Sequence, residues 1–252
     1  MMDYNVFEKN VRNVLFLTDC SPYGRWASIS GTCFLVKHQD SYFAVTARHV
    51  LHEFLVENIK VLLNPYSSDD SMRHRALCFD QAFCFNGDPG DGNYDSDCDD
   101  FCILKVHHEE PKLLLDPFFF PYSTPSCRDI NCESRLIVAG YPTCEQETGD
   151  GSSEGVFQLV YLSCSKYERD NLFDFKFRVH IKNHGIENFD GFSGAPVFCV
   201  SKDEKIKIIG IVIRGGAEAG ILHCLDFRLF EAALMLKKKV DKEKRPPDEI
   251  SN

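Results

Sequence analysis

The stretch YFAVTARHV, residues 42–50, decides the fold together with two later segments. A short run that is rich in aromatic, Val and Thr residues predicts a buried β-strand, and this one ends near Thr46. The residues that follow predict a helix that begins near Ala47 and has one apolar face. That face contains Val50, Leu51, Phe54 and Leu55. His49 is therefore expected directly after a strand, in the first turn of a helix.

The rest of the chain predicts mainly β-structure. Further apolar or alternating runs span residues 14–17, 33–36, 60–63, 101–106, 135–138, 157–162, 173–181, 197–200, 205–213 and 221–224, with Gly- and Asp-rich turn clusters between them. Many short strands with turn signals indicate an all-β sandwich or barrel rather than a parallel βαβ sheet. A second helix is predicted over residues 227–239, where three lysines at its C-terminal end match the helix dipole.

The composition of the 252 residues argues against two classes of partner. The net charge is −10 at pH 7, and an acidic surface repels the phosphate backbone of nucleic acids. No apolar run approaches the ~18 residues of a membrane-spanning helix, so no membrane partner is expected. The first residues lack the basic start and apolar run of a signal segment. These features predict a cytoplasmic protein.

The 12 cysteines include no Cys-x-x-Cys pair. The closest pairs, Cys98/Cys102 and Cys127/Cys132, do not have the spacing of a zinc ligand set. Disulfides are rare in a reducing compartment, so the cysteines are predicted to be free and mostly buried thiols. No metal and no cofactor is expected.

Two further segments contain residues suited to catalysis. DFCILK, residues 100–105, places Asp100 at the start of a buried strand, and GFSGAPV, residues 191–197, presents Ser193 on a glycine turn before another strand. A serine hydroxyl needs a base to take its proton as it attacks, and histidine suits that task because it titrates near ~6.5. A carboxylate then orients the imidazole. We assign these three roles to Ser193, His49 and Asp100.

The three segments, in this order, resemble the trypsin-like (chymotrypsin-fold) serine peptidases, closest to the intracellular and bacterial-type branch. The resemblance extends over about residues 12–236 and includes VAGYP, residues 138–142, and GIVIRG, residues 210–215. It implies a peptidase domain, residues 1–236, with two Greek-key β-barrels at about 12–110 and 125–226 and a C-terminal helix at 227–239. Residues 240–252 are then a charged tail.

The resemblance also implies a site for the oxyanion and a substrate pocket. The backbone N–H groups of Gly191 and Ser193 are the expected oxyanion donors, since glycine permits the turn that aims them. The expected pocket residues are Glu187, Ile213, Arg214 and Gly215. An acid at Glu187 favours Lys or Arg in the substrate, whereas Arg214 favours an acidic side chain or pairs with Glu187. Phe192 stands where many secreted relatives have Asp, which implies no activation by a cleaved N-terminus.

Several alternatives stay open at this level. Asp99 competes with Asp100 for the role of the acid, and the alternating acidic residues 91–97 hint weakly at calcium. His223 is either a pocket or a core residue. The predicted function is a serine endopeptidase that acts on a peptide or protein substrate. Its activity is expected to be limited by a loop, by a regulatory protein partner or by a poorly formed oxyanion turn. The alternatives are a catalytically silent peptide-binding module on the same scaffold and a cysteine-rich regulator held by zinc.

Overall fold

The structure, a computed structural model, describes residues 5–21, 24–52, 55–65, 67–69, 75–85, 95–107, 112–122, 134–143, 147–148, 155–156, 158–182 and 185–243. These residues are mostly β and form two barrel-like sheets with a C-terminal helix, which confirms the predicted double β-barrel. Across the described ranges, no helix combines the length and apolar character that crossing a membrane requires.

The first barrel is nearly closed. Its strands are β1 (Val11–Ser21), β2 (Gly24–His38), β3 (Ser41–Ala47), β4 (Ile59–Leu62), β5 (Ala76–Leu77), β6 (Phe79–Cys84) and β7 (Phe101–Val106), with β8 (Phe120–Pro121) pairing with β2. Neighbouring strands follow the order β5-β4-β1-β2-β3-β7-β6. Only Cys78 separates β5 from β6, so the two strands at the ends of this order are almost continuous in the chain.

The second barrel is closed by six antiparallel strands. These are β9 (Arg135–Gly140), β12 (Val160–Arg169), β13 (Lys176–Ile181), β14 (Pro196–Val200), β15 (Ile206–Gly216) and β16 (Ile221–Asp226), in the order β12-β13-β16-β15-β14-β9. A separate two-stranded sheet contains β10 (Glu147–Thr148) and β11 (Gly155–Val156). When β5 and β6 are counted as one strand, both barrels wind their six strands in the same order.

The helices are short except at the C-terminus. They are α1 (Asn5–Asn10), α2 (Lys112–Leu115) and α3 (Leu229–Glu243), together with 3-10 helices at Arg48–Leu51, Val56–Asn58, Ser96–Asp100 and Asp116–Phe118. The first turn of α3 and the residues just before it follow the second barrel but pack against the first. The Phe227 ring lies 5.4 Å from Phe34, and the Phe230 ring lies 5.5 Å from Phe43 in an edge contact. Burial of these aromatic rings therefore joins the two barrels.

Two local predictions differ from the structure. The helix expected from Ala47 is a single 3-10 turn, because the chain reverses at His52, whose φ is 48°. Leu55 is 62 % exposed instead of lying on a buried face, and Phe54 lies outside the described residues. The strand expected over residues 173–181 begins only at Lys176, because a turn precedes it in which the N–H of Lys176 donates to the carbonyl oxygen of Phe173.

Candidate active site

His49 and Asp100 are brought together by adjacent strands of the first barrel. β3 ends at Ala47 and β7 begins at Phe101, and these two residues are paired across the sheet. His49 follows the first strand and Asp100 precedes the second. The Nδ1 atom of His49 lies 2.7 Å and 3.0 Å from the two carboxylate oxygens of Asp100, and the backbone N–H of His49 donates to the same carboxylate at 2.9 Å. The carboxylate therefore fixes both the ring and the backbone of His49.

This contact distinguishes Asp100 from the other aspartates of the acidic segment, residues 95–100. Asp95 caps the 3-10 helix Ser96–Asp100 by accepting a hydrogen bond from the N–H of Asp97. The carboxylate of Asp97 forms ion pairs with Arg214 and Lys176 of the second barrel. Asp100, at the end of the helix, is the residue that meets His49. The side chains remain partly open to solvent, with 52 % of His49 and 21 % of Asp100 exposed.

Ser193 lies on a turn that is anchored to both barrels. The carbonyl oxygen of Ser193 accepts a hydrogen bond from the N–H of Thr32 in the first barrel at 2.9 Å. The N–H of Gly194 donates to Val212 of the second barrel at 2.7 Å. Gly194 has a φ of 83°, and a Cβ there would lie 2.0 Å from the carbonyl oxygen of Thr32. Only glycine fits this close approach.

The N–H of Gly191 is oriented by the peptide group to which it belongs. The carbonyl oxygen of Asp190 accepts a hydrogen bond from the N–H of Thr143 at 2.7 Å. In a trans peptide the N–H points away from the C=O, so the N–H of Gly191 points away from Thr143. Gly191 has a φ of 90°, a conformation that glycine adopts readily. In the described part of the chain this N–H has no hydrogen-bond acceptor.

The N–H of Ser193 is oriented in the same way. The carbonyl oxygen of Phe192 accepts a hydrogen bond from the N–H of Ala195 at 2.8 Å, and the N–H of Ser193 belongs to the same peptide group. This N–H likewise has no acceptor among the described residues. Two fixed N–H groups without a protein partner are what an oxyanion hole requires before substrate arrives.

Thr32 is a site residue that sequence reasoning missed. Its buried hydroxyl donates to the carbonyl oxygen of Gly191 at 2.7 Å and accepts from the N–H of Tyr141 at 2.9 Å. Its backbone N–H holds Ser193, as described above. A hydroxyl residue inside the apolar run GTCFLV, residues 31–36, was the available signal, since a buried hydroxyl must find hydrogen-bond partners.

Phe192 holds the turn by apolar packing. Its fully buried ring lies 5.9 Å from the ring of Phe189 in an edge contact. A Cβ at Gly140 would lie 2.7 Å from the Phe192 ring, so β9 passes directly against it. The side chain before Ser193 therefore belongs to the core of the second barrel.

The hydroxyl of Ser193 is not directed at His49. Its Oγ donates to the carbonyl oxygen of Ile213 at 3.4 Å, a long contact. Among the hydrogen bonds of the described residues, none joins Ser193 to His49, and none involves the Nε2 atom of His49. Ile213 lies where the register of β15 shifts against β16, so a bulge presents its carbonyl oxygen to the serine.

An ion-pair cluster joins the acidic segment to the second barrel. Arg214 donates two hydrogen bonds to Asp97, each of 2.7 Å. Lys176 lies 2.6 Å from Asp97 and 2.5 Å from Asp95. The hydrogen bonds from Arg214, and then those from Lys176, lower the pKa of Asp97 to about 2. Arg214 therefore pairs with Asp97, not with Glu187 as one of the sequence alternatives proposed.

The remaining pocket residues occupy mixed environments. Glu187 and Gly215 are exposed, and Ile213 is buried. His223 is half-buried on β16, paired across the sheet with Arg214 and Arg178. Burial, and then the positive charge of Arg214, lowers the pKa of His223, which favours the neutral imidazole.

The acidic segment contains no cation site within the part described. Asp95 and Asp97 are neutralised by Lys176 and Arg214, and residues 91–94 of the calcium-like pattern lie outside the described ranges. No group of three or more His, Cys, Asp or Glu side chains that could hold a metal ion occurs among the residues that the structure describes.

None of the family models matches this sequence, and the search of curated proteins finds no match.

Proposed function

We propose that this protein is a serine endopeptidase of the trypsin-like type, with Ser193, His49 and Asp100 as its catalytic residues. The observation on which the proposal rests is the His49–Asp100 contact on one barrel, combined with a turn that presents Ser193 from the other. The two Asp100 contacts occupy Nδ1 and leave Nε2 of His49 available as the base. A serine hydrolase needs this arrangement, in which a carboxylate holds Nδ1 of the histidine and Nε2 accepts the proton of the serine.

The proposed reaction has two stages. In the first, Ser193 Oγ attacks the carbonyl carbon of a peptide bond while Nε2 of His49 takes the hydroxyl proton. The N–H groups of Gly191 and Ser193 stabilise the oxyanion, and His49 then returns the proton to the departing amine. In the second stage water attacks the acyl-enzyme by the same proton route and releases the acid.

Catalysis requires Ser193 Oγ to leave its contact with the Ile213 carbonyl oxygen. Serine has three staggered χ1 positions, so rotation about one bond redirects the hydroxyl. The contact is 3.4 Å long and weak, and catalytic hydrogen bonds commonly tighten only when substrate binds. A bound peptide or a protein partner would favour the productive rotamer.

A fluorophosphonate probe tests the proposal. The folded protein is expected to be labelled on Ser193, and Ser193→Ala abolishes labelling. Ser163→Ala, at an exposed serine on β12, provides a matched control that keeps full labelling. His49→Ala removes labelling, whereas His107→Ala, which breaks another His–Asp pair on the first barrel, does not. A folded protein that neither reacts with the probe nor cleaves a casein-like substrate refutes the proposal.

Within this proposal, Glu187 sets the preferred side chain of the substrate. The charge of Arg214 is already compensated by Asp97, whereas no ion pair joins Glu187 to a cation among the described residues. We expect cleavage after Lys or Arg in a peptide library, with the preference lost in Glu187→Gln. Cleavage after Asp or Glu contradicts this assignment.

The orientation of the Ser193 hydroxyl favours a second candidate, a peptide-binding module on the same scaffold. Such a module binds an unfolded protein without cutting it, and Ser193→Ala leaves its affinity unchanged. Fluorescence anisotropy with a labelled casein fragment, followed by analysis for fragments, separates the two functions. For either function we keep the cytoplasm as the proposed location.

A further inference from the structure

Two thiols lie opposite each other next to the His49–Asp100 contact. Cys84 is the last residue of β6, Cys102 is the second residue of β7, and the strand register pairs them directly. Both are free cysteines, Cys84 half-buried and Cys102 buried. Direct cross-strand partners point to the same face of a sheet.

The backbone hydrogen bonds of the sheet show whether Cys84 and Cys102 form a hydrogen-bonded or a non-hydrogen-bonded cross-strand pair. The N–H of Phe85 donates to the carbonyl oxygen of Phe101 at 2.9 Å, so residues 85 and 101 occupy a hydrogen-bonded position. Cys84 and Cys102 are therefore the adjacent non-hydrogen-bonded pair, in which the Cα atoms are about 4.5 Å apart. Disulfides span Cα separations of about 4.4–6.8 Å. The backbone thus holds the two thiols at the short end of disulfide distance.

The two thiols differ in how readily they ionise. The hydrogen bond from Cys102, assisted by the positive charge of Arg48, lowers the pKa of Cys84. The same hydrogen bond, together with burial, raises the pKa of Cys102. Burial also raises the pKa values of Cys33 and Cys98 to about 12. Because the thiolate is the reactive form, Cys84 is the thiol suited to attack an oxidant, and Cys102 is suited to resolve the product.

We propose that Cys84 and Cys102 form a redox modification site, which hydrogen peroxide converts into a disulfide that disables the active site. The Cys84 thiolate attacks one peroxide oxygen, the O–O bond breaks, and the released hydroxide takes a proton to form water. Cys84 is then a sulfenic acid. The Cys102 sulfur attacks the Cys84 sulfur, the S–O bond breaks, and a second water leaves with the Cys102 proton. Two thiols lose two electrons, and one peroxide is reduced to two waters.

The disulfide affects the active site through β7. Asp100 immediately precedes this strand, and Cys102 pairs on its other side with Thr46 of β3, the strand that leads to His49. Disulfides favour a Cα separation of about 5.5–6 Å, so the bond pushes the start of β7 away from β6 by about 1 Å. A displacement of this size at catalytic groups lowers the rate by about 10²-fold. This consequence rests on the proposed peptidase function, whereas formation of the disulfide does not.

Disulfide mapping tests the modification site directly. The folded protein is treated with hydrogen peroxide, free thiols are blocked with N-ethylmaleimide, and unreduced peptides are analysed by mass spectrometry. We expect peptides joined through Cys84 and Cys102, which dithiothreitol separates. Cys78→Ser, which removes an exposed thiol, leaves the result unchanged. In Cys102→Ser, which removes the resolving thiol but keeps a hydrogen-bond donor beside Cys84, the Cys84 sulfenic acid persists and dimedone traps it. A wild-type protein in which Cys84 stays reduced, or pairs elsewhere, refutes the proposal.

The regulatory consequence has its own measurement. Fluorophosphonate labelling of Ser193 is expected to slow about 10²-fold in the oxidised wild type and to recover with dithiothreitol. Cys84→Ser keeps its labelling rate after peroxide. A mapped disulfide with unchanged labelling overturns the regulation and leaves the modification site. Absence of labelling in the reduced protein refutes the peptidase and its regulation together, while the mapping still decides the modification site.

Discussion

Thr32 of the first barrel donates its backbone N–H to the carbonyl oxygen of Ser193 in the second, at 2.9 Å. The hydroxyl of the same threonine binds the carbonyl oxygen of Gly191, so one residue fixes both ends of the turn that contains the proposed nucleophile. The relative position of Ser193 and His49 depends on this junction, because the two residues belong to different barrels.

Replacing Thr32 by valine tests the junction. The variant keeps the shape of the side chain but leaves the Gly191 carbonyl oxygen and the Tyr141 N–H without their buried partner. Each such loss costs about 1–3 kcal/mol, so we expect the free energy of unfolding to fall by about 2 kcal/mol or more in urea denaturation. Labelling of Ser193 slows as well. Thr32→Ser, which keeps the hydroxyl, loses only about 1 kcal/mol. Equal stability of both variants contradicts the role of the hydroxyl.

Asp100→Asn tests the proposed triad. The amide N–H can donate a hydrogen bond to an unprotonated Nδ1 of His49, which selects the wrong tautomer and leaves Nε2 protonated. We expect the rate of fluorophosphonate labelling to fall by about 10⁴-fold while the circular dichroism spectrum stays unchanged. The matched control is Asp80→Asn, at the carboxylate that pairs with His107. A comparable loss of labelling in both variants indicates a general effect on the first barrel.

The Asp97 cluster predicts a specific dependence of stability on pH. Hydrogen bonds from Arg214 lower the pKa of Asp97 to about 2, below its ordinary 3.8. A carboxyl with a depressed folded-state pKa stabilises the protein above the unfolded pKa and loses this contribution as the pH falls through the folded value. The difference in unfolding free energy between wild type and Asp97→Asn should therefore be constant well above pH 3.8, shrink as the pH falls from 3.8 to about 2, and be lost below that value.

Chemical denaturation at a series of pH values measures this difference. Asp203→Asn, at an exposed residue after β14, serves as the control and should show no such loss. A difference that persists unchanged at the lowest pH at which the protein still folds shows that Asp97 contributes by packing rather than by charge.

The positively charged side chains around His223 predict how the pKa of this histidine responds to substitution. Burial is the main cause of its lowered pKa, and Arg214 is the next. Arg214→Gln removes that positive charge, so we expect the pKa of His223 to rise toward, but not to, 6.5 in an NMR titration. Arg135→Gln, at an exposed position on β9, should leave the titration unchanged. An unaltered His223 in Arg214→Gln means that burial alone sets its pKa.

Arg12 predicts a large loss of stability on substitution. This arginine is only 1 % exposed, and its guanidinium donates to backbone carbonyl oxygens of Glu8, Lys9 and Leu63. Arg12→Met removes these hydrogen bonds and leaves the buried carbonyl oxygen of Leu63 without its arginine partner, so we expect the unfolding free energy to fall by at least about 2 kcal/mol. Arg135→Met, at an exposed arginine, should be neutral. Similar unfolding midpoints for the two variants would contradict a structural role for the Arg12 hydrogen bonds.

The strands that could be predicted are those whose pattern is visible in consecutive residues of the sequence. Runs such as FCILKV, residues 101–106, predict strands on their own, because every second or nearly every side chain is apolar. β6, with sequence FDQAFC, was missed because its polar and small residues give no strand pattern, and pairing with β7 defines it instead. The 3-10 turn after Ala47 was predicted as a helix because the spacing of the apolar residues gives no sign that the chain reverses direction at His52.

The sequence by itself determined the all-β class and the three segments that supply His49, Asp100 and Ser193, since each depends on neighbouring residues. Only the tertiary structure decided that Arg214 binds Asp97, 117 residues away, and that the Ser193 hydroxyl meets Ile213. The first contact depends on how the two barrels approach each other, and the second on how the turn before β14 packs against β15. Distance and charge in the folded chain determine which partner a side chain contacts, and the pattern of neighbouring residues in the sequence does not contain this information.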